Sequence, residues 1–192
     1  LLVQTVEQTT GLRVDGYAEI GFAGFSAMVD AVGGIEMCPK EAINDRASNL
    51  DIKAGCQTFD GPTALGYVRM RKADPLGDLG RVQRQREVLG VLAKKVISPA
   101  TFLLPWRYWG VNSAGAKALT MGNDDGLGDL VALGMGVVKI GTGDGLTLTV
   151  PIGNPDLRTA SGSAVAWDDA AAKQMFAEIG RGGTSKLDRF KA

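Results

Sequence analysis

Arginine is concentrated in one short stretch of this 192-residue chain. Five of its eleven arginines lie between residues 69 and 86, although the 21 basic and 21 acidic residues leave the whole chain without net charge. The planar guanidinium group binds phosphate oxygens with two parallel hydrogen bonds and stays charged at any physiological pH. The pattern therefore predicts a local phosphate-binding site in a protein that is not built to bind polyanions over its whole surface.

The arginines fall on two predicted helices. Asp60, followed by a Gly-Pro pair, is typical of a helix start, and Asp78 is the predicted N-cap of a second helix of about twenty residues. Free N–H groups at the start of the second helix favour bound phosphate. We therefore expect Arg69 and Arg71, at the end of the first helix, to fold back against Arg81.

Helical periodicity assigns an inward face to the second helix. Its predicted apolar stripe consists of Val82, Leu89, Leu92 and Val96. Gln85 interrupts this stripe, and Arg81 lies one turn before it on the same side. Inward polar groups need buried partners, so Arg81 and Gln85 are predicted to face a binding site. Two readings stay open for Arg84 and Arg86, a solvated face or part of the site.

Composition excludes several kinds of active site. The chain has no histidine, which excludes Ser-His-Asp triads, Cys-His pairs and histidine-ligated zinc within it. Cys38 and Cys56 match no zinc pattern. They are either a disulfide in an oxidising compartment or two unrelated buried thiols.

The order of the remaining patterns favours an α/β fold with helices packed on a sheet. Predicted helices cover residues 1–11, 25–32, 102–109 and 167–179, and a further helical run within 119–138 follows Asn123-Asp124-Asp125. Predicted strands cover 17–22, 35–38 and 146–150. Residues 40–59 read as an irregular polar loop. No stretch is long and apolar enough to span a bilayer, and because the chain opens inside an apolar pattern we expect an anchor upstream.

Four runs closely resemble the LytR-CpsA-Psr family. They are Asp15-Gly16-Tyr17, residues 25–35 (FSAMVDAVGGI), residues 59–71 (FDGPTALGYVRMR) and residues 78–85 (DLGRVQRQ). The resemblance covers residues 1 to about 97, and the cysteines are similar to those of actinobacterial members. It implies an α-β-α layered domain with a central mixed sheet flanked by helices, of which this chain is the C-terminal larger part, residues 1–180, with a tail at 181–192.

The resemblance also implies an activity. Such proteins are membrane-anchored on the cell-wall side and transfer a glycan phosphate, here arabinogalactan, from polyprenyl diphosphate to peptidoglycan. The implied catalytic residues are Arg69, Arg71, Arg81 and Asp78, and the implied diphosphate-binding residues are Arg69, Arg71, Arg81, Gln85 and Arg84. Magnesium is implied at the diphosphate, with its ligands in an upstream segment that is not in this chain. A Cys38–Cys56 disulfide is implied as well.

A polyprenyl chain also needs an apolar tunnel. Its predicted walls are Phe25, Met28, Val29, Val32, Leu89 and Leu92, although these residues are equally typical of an ordinary core. Two other functions stay open, a lipid diphosphate hydrolase and a non-catalytic module that binds polyprenyl diphosphates. No nucleic acid is expected as a partner.

Overall fold

Two compact units make up the chain. The computed structural model describes residues 1–70, 77–122, 126–143, 145–146, 148–160, 162–182 and 187–190, with the backbone alone at Asp78 and Leu127. Unit 1 combines Leu1–Tyr17 with Leu146–Ala192, and unit 2 is Ala18–Gly145. The boundaries predicted at residues 180 and 181 stay predictions.

Unit 1 consists of elements from both ends of the chain. Numbered in chain order through both units, they are α1 (Leu2–Thr10), β7 (Ile152–Thr159), β8 (Gly162–Trp167) and α8 (Asp169–Gly180). A 3₁₀ turn, Asp188–Phe190, follows within the predicted tail. There Leu187 is buried, and the Phe190 carbonyl accepts a 3.0 Å hydrogen bond from the Thr149 N–H.

Unit 2 holds six of the helices and three small sheets. Its helices are α2 (Phe22–Ala31), α3 (Gly61–Arg69), α4 (Gly77–Val96), α5 (Pro99–Leu103), α6 (Pro105–Ala118) and α7 (Leu127–Thr142). Its strands are β1 (Ala18–Ile20), β2 (Ile35–Met37), β3 (Ile43–Asp45), β4 (Leu50–Ile52), β5 (Gln57–Phe59) and β6 (Leu119–Met121). The α/β class predicted from the sequence is confirmed.

The strands of the described residues pair two by two. The antiparallel pairs are β1–β6, β2–β5, β3–β4 and β7–β8, so these strands do not form the one central mixed sheet that we expected. Parallel pairing needs a crossover of a dozen or more residues, and the connections at 38–42, 46–49 and 53–56 are far shorter. The β3–β4 hairpin is therefore nested between β2 and β5, in the segment predicted to be an irregular loop.

One further element prediction differs from the structure. Within the predicted strand at 146–150, Thr147 lies outside the described residues and the described ones show only a bridge at Leu148; the long strand begins at Ile152 and pairs with Gly162–Trp167 as a hairpin. The helical run predicted after Asn123-Asp124-Asp125 is confirmed as α7, which begins at Leu127, whereas residues 119–121 before it pair with β1. Short apolar runs fit strand and helix equally well, so periodicity alone does not separate them.

The core of unit 2 lies where α2, α3 and α4 meet β2, β4 and β5. It consists of Phe25, Val29, Val32, Ile35, Met37, Leu50, Ile52, Phe59, Ala64, Tyr67, Met70, Val88 and Leu92. The turn from α2 into β2 passes through Gly33 and Gly34, both at φ 79°, a conformation that favours glycine. This core is the platform on which the arginine-bearing helices rest.

Candidate functional site

The start of α3 is fixed to α2 by a close backbone contact. The Gly61 N–H donates a 2.7 Å hydrogen bond to Asp30 Oδ1, and a Cβ on Gly61 would lie 2.8 Å from Asp30 Oδ2. Only glycine therefore lets the helix start approach this closely. Asp30 and Gly61 both belong to the runs that carry the family resemblance.

Asp60 caps the same helix, as predicted. Its carboxylate accepts a 2.9 Å hydrogen bond from the Thr63 N–H. Hydrogen bonding from the Thr63 side chain and then from its backbone lowers the pKa of Asp60 below its ordinary value, against a smaller opposing effect of burial. The helix that ends at Arg69 thus begins from two anchored residues.

Arg84 joins the end of α3 to α4. Its Nε donates to the Tyr67 carbonyl at 3.1 Å, and its Nη2 donates to the Met70 carbonyl at 2.6 Å. The guanidinium carbon also lies 5.8 Å from the centre of the Tyr67 ring, and only 8% of the residue is exposed. The solvated-face reading of Arg84 is therefore wrong, because its donors are satisfied inside the protein.

The burial of Arg84 also corrects the predicted face of α4. Arg84, Val88 and Leu92 point inward, whereas Gln85 is exposed and Leu89 is 50% exposed. The predicted stripe and the observed inward face both have helical spacing, and both contain Leu92. The prediction considered apolar residues only, and so it missed the observed face, which begins with the buried Arg84. A buried arginine is stable when its donors are paired.

The remaining predicted site residues lie near this junction. Arg69, the last residue of α3, is exposed, and its guanidinium carbon lies 4.9 Å from the centre of the Phe22 ring at the start of α2. Arg81 is half-buried and lies three residues before Arg84 on α4. Asp78 is the second residue of α4, inside the first turn and not at the cap that was predicted. Arg71 lies outside the described residues.

A hollow of about 240 Å³ adjoins the junction. Gly80, Gln83 and Arg84 of α4 line one side of it, and Cys38 and Lys40 line another. The predicted tunnel residues do not line this hollow: Phe25, Val29, Val32 and Leu92 belong to the core, Met28 packs against it, and Leu89 points outward. The lipid tunnel itself stays a prediction.

Cys38 and Cys56 form a disulfide, as the resemblance implied. The pair extends the register of β2 and β5, in which Met37 lies opposite Gln57. The bridge therefore closes the base of the nested hairpin, next to the hollow.

The described residues offer no ready metal site. No group of three or more Asp, Glu or Cys side chains converges among them, so no ligand set for magnesium is found in this part of the chain. In the same part, no helix combines the length and hydropathy that crossing a bilayer requires.

The fold and the site define an α/β protein in which arginine is gathered where two packed helices meet. A sequence profile of the LytR_cpsA_psr family matches residues 1–162, and the chain belongs to the LytR-CpsA-Psr family. It is 47% identical over 180 residues to the "Probable cell wall biosynthesis protein LcpB" of Corynebacterium glutamicum; the alignment covers 93% of this chain and 42% of that protein.

Two further comparisons agree with this family assignment. The chain is 44% identical over 89 residues to the "Polyisoprenyl-teichoic acid--peptidoglycan teichoic acid transferase TagU" of Oceanobacillus iheyensis, which covers 46% of this chain and 27% of that protein. It thus spans less than half the length of both curated relatives. A solved LytR-Csp2A-Psr enzyme from Actinomyces oris shares the fold, with a TM-score of 0.68 at 22% identity over 88% of this chain and 65% of that one.

Proposed function

We propose that this chain carries the diphosphate-binding part of a phosphotransferase that moves a glycan phosphate from a polyprenyl diphosphate carrier to peptidoglycan. Family membership supports the reaction class, and so does the similarity to a protein named as a peptidoglycan teichoic acid transferase. The observation that carries the proposal is the α3–α4 junction. Arg84 binds the carbonyls on either side of Arg69 and so keeps the end of α3 beside the turn of α4 that bears Arg81.

The proposed chemistry is a displacement at phosphorus. A hydroxyl of peptidoglycan attacks the phosphorus next to the glycan, a new P–O bond forms, and the P–O bond to the second phosphate breaks. Polyprenyl phosphate leaves, and the proton of the hydroxyl passes to a carboxylate, for which Asp78 is the candidate in this chain. Arg69, Arg71 and Arg81, with Gln85 beside them, offset negative charge on the phosphoryl oxygens.

We propose arabinogalactan as the glycan and the outer face of the cell membrane as the place of action. The similarity to a corynebacterial cell wall biosynthesis protein supports the first. The Cys38–Cys56 disulfide supports the second, because such bonds persist in oxidising compartments. Donors carrying arabinogalactan and teichoic acid, compared in one transfer assay, test the glycan; protease accessibility in intact spheroplasts tests the location.

The site is tested by Arg81→Ala in the full-length protein, with Arg46→Ala as the matched control. Arg46 is an exposed arginine in the β3–β4 turn of the same unit. With a radiolabelled polyprenyl diphosphate glycan and peptidoglycan as acceptor, we expect kcat for Arg81→Ala to fall about 100-fold or more and the control to stay within twofold. Equal rates for both variants would refute the assignment.

The same assay separates the alternative functions. Release of glycan phosphate that does not depend on peptidoglycan would identify a hydrolase. Donor binding without turnover, at every magnesium concentration, would identify a binding module. The proposed magnesium requirement predicts loss of transfer in EDTA and recovery when Mg²⁺ is added back.

A further inference from the structure

The largest exposed apolar side chains of unit 2 include a group at the corner between α5 and α6. Leu103, Trp106 and Trp109 are 77%, 69% and 72% exposed. Phe102 and Tyr108, also exposed, approach to 6.5 Å between ring centres. We call these five residues the aromatic patch. Single exposed apolar residues are ordinary, whereas several large ones within eight residues of the chain are typical of a binding surface.

Helix packing keeps this group on the outside. A neighbouring face of α6 packs on α2 through small residues: a Cβ on Gly24 would come 2.6 Å from the Ala118 Cα, and Cβ atoms on Gly110 and Gly115 would lie 3.6 Å from Ala31 and 3.4 Å from Met28. Because these residues permit close contact between α2 and α6, α6 cannot turn its tryptophans inward without breaking that interface.

The segment that carries the aromatic patch is basic. Residues 88–122 contain Lys94, Lys95, Arg107 and Lys117 and no acidic residue, in a chain without net charge. Lys117 is exposed and follows Trp106 by eleven residues. That spacing places both on the same face of α6, about 16 Å apart along its axis.

The other three cations of this segment are Lys94, Lys95 and Arg107. Lys94 is exposed in the last turn of α4. The Lys95 carbonyl accepts a 2.7 Å hydrogen bond from Thr101 Oγ1, which holds that turn against α5. The Arg107 guanidinium instead points to the turn that follows α2, since a Cβ on Gly33 would lie 2.9 Å from its Nη2. The exposed cations of residues 88–122 are therefore Lys94 and Lys117.

Tryptophan and tyrosine are enriched where membranes meet water, because their rings are apolar and their N–H and O–H groups hydrogen-bond to headgroups and water. Lysines beside such a surface are attracted to anionic lipids. We propose that the aromatic patch docks onto the headgroup region of an anionic bilayer, with Lys94 and Lys117 facing lipid phosphates. This inference does not depend on the proposed transfer reaction.

Charge favours a bilayer over a second copy of the chain. A two-fold contact through the aromatic patch would bring the lysines of both copies around one apolar centre. Residues 88–122 supply no acidic partner for them. An anionic lipid surface supplies the missing charge.

Tryptophan fluorescence tests the proposal in the full-length protein. The signal of the aromatic patch is the difference between the wild type and Trp106→Phe/Trp109→Phe. With vesicles of anionic lipid brominated near the headgroup, we expect this difference signal to shift to the blue and to be quenched at least twofold more than Trp167. An unchanged signal at saturating lipid would overturn the proposal. A signal that is already blue-shifted without lipid and that brominated lipid does not quench would overturn it too, because another protein segment would then cover the surface.

Partition of residues 1–192 into vesicles, without the anchor that we expect upstream, tests the residues. We expect Trp106→Ser/Trp109→Ser to weaken partition about tenfold or more, and Lys94→Gln/Lys117→Gln to weaken it about fivefold per charge on anionic vesicles only. Val131→Ser/Met135→Ser removes two exposed apolar side chains of α7 and is the control. Equal losses of partition in the tryptophan and control variants would overturn the proposal. A wild type that is dimeric in solution and a tryptophan variant that is monomeric would overturn it as well.

Discussion

At the residue scale, Arg84 performs for α3 what a capping residue performs at a helix end. The last carbonyls of a helix have no intrahelical partner, and Arg84 supplies donors to two of them, at Tyr67 and Met70. Its positive charge also stands at the negative end of the α3 dipole. The residue therefore fixes the end of α3 to α4 with a single side chain.

We expect Arg84→Met to destabilise the protein strongly. The change leaves buried carbonyls without donors, at a cost of about 2–4 kcal/mol in the free energy of unfolding. Urea denaturation of the wild type and of the exposed-site control Arg46→Met measures the difference. Arg84→Lys should recover only part of the loss, because one ammonium group cannot span both carbonyls; a loss below 0.5 kcal/mol for Arg84→Met would contradict this role.

Asp60 gives a pH-dependent prediction. Asp60→Ala should cost about 1 kcal/mol at pH 7, the usual value of an N-cap. Because the folded-state pKa of Asp60 lies below the ordinary pKa of an aspartate, its contribution to stability is present above that ordinary pKa and is lost as the pH falls through the folded-state pKa. Thermal unfolding should show a smaller difference in stability between the wild type and Asp60→Ala near pH 3 than at pH 7. Asp60→Asn keeps the cap without the charge. The difference in stability between Asp60→Asn and Asp60→Ala should therefore be the same at both pH values.

At the element scale, the sequence predicted helices better than strands. The predicted starts of α3 and α4 fall within two residues of the observed ones, because Asp-Gly-Pro and Asp78 are strong local signals. The predicted inward face of α4 was wrong because tertiary contacts select that face. Arg84 has hydrogen-bond partners only when α3 lies beside α4. The β3–β4 hairpin was missed because its three-residue strands alternate polar and apolar residues too briefly to be recognised.

The disulfide belongs to the same scale, since it closes the segment that contains this hairpin. Cys38 and Cys56 are 18 residues apart, and closing a loop of that length contributes about 3 kcal/mol. Cys38→Ser/Cys56→Ser should therefore unfold at a lower temperature in calorimetry. Dithiothreitol should shift the wild type to the same temperature and leave the variant unchanged; equal melting of the wild type and the variant without reductant would contradict the prediction.

At the scale of the whole molecule, burial is divided unevenly between the two units. The core cluster draws on unit 2 alone. In the described part of unit 1, the buried apolar residues are Ala172, Met175 and Leu187, and every residue of β7 is exposed. The family was recognisable from local runs, yet this division was not, because it depends on which distant segments pack together.

This division predicts a difference in hydrogen exchange. Segments with few buried contacts open at lower free energy, so amides of the β7–β8 hairpin should exchange faster than those of α2 and α3 in a mass-spectrometric experiment. Val29→Ala, at a fully buried position of α2, should cost about 1–3 kcal/mol. The loss of protection should spread through α2, α3 and β2 and leave α8 unchanged.

Val165→Ala is the matched control, because Val165 is exposed on β8 and its truncation removes the same atoms without opening a cavity. It should leave protection in both units close to that of the wild type. A uniform loss of protection in both units after Val29→Ala would mean that the chain unfolds as one cooperative body. The cavity left in α2 would then lower the hydrogen-exchange protection of α8 as much as that of α3.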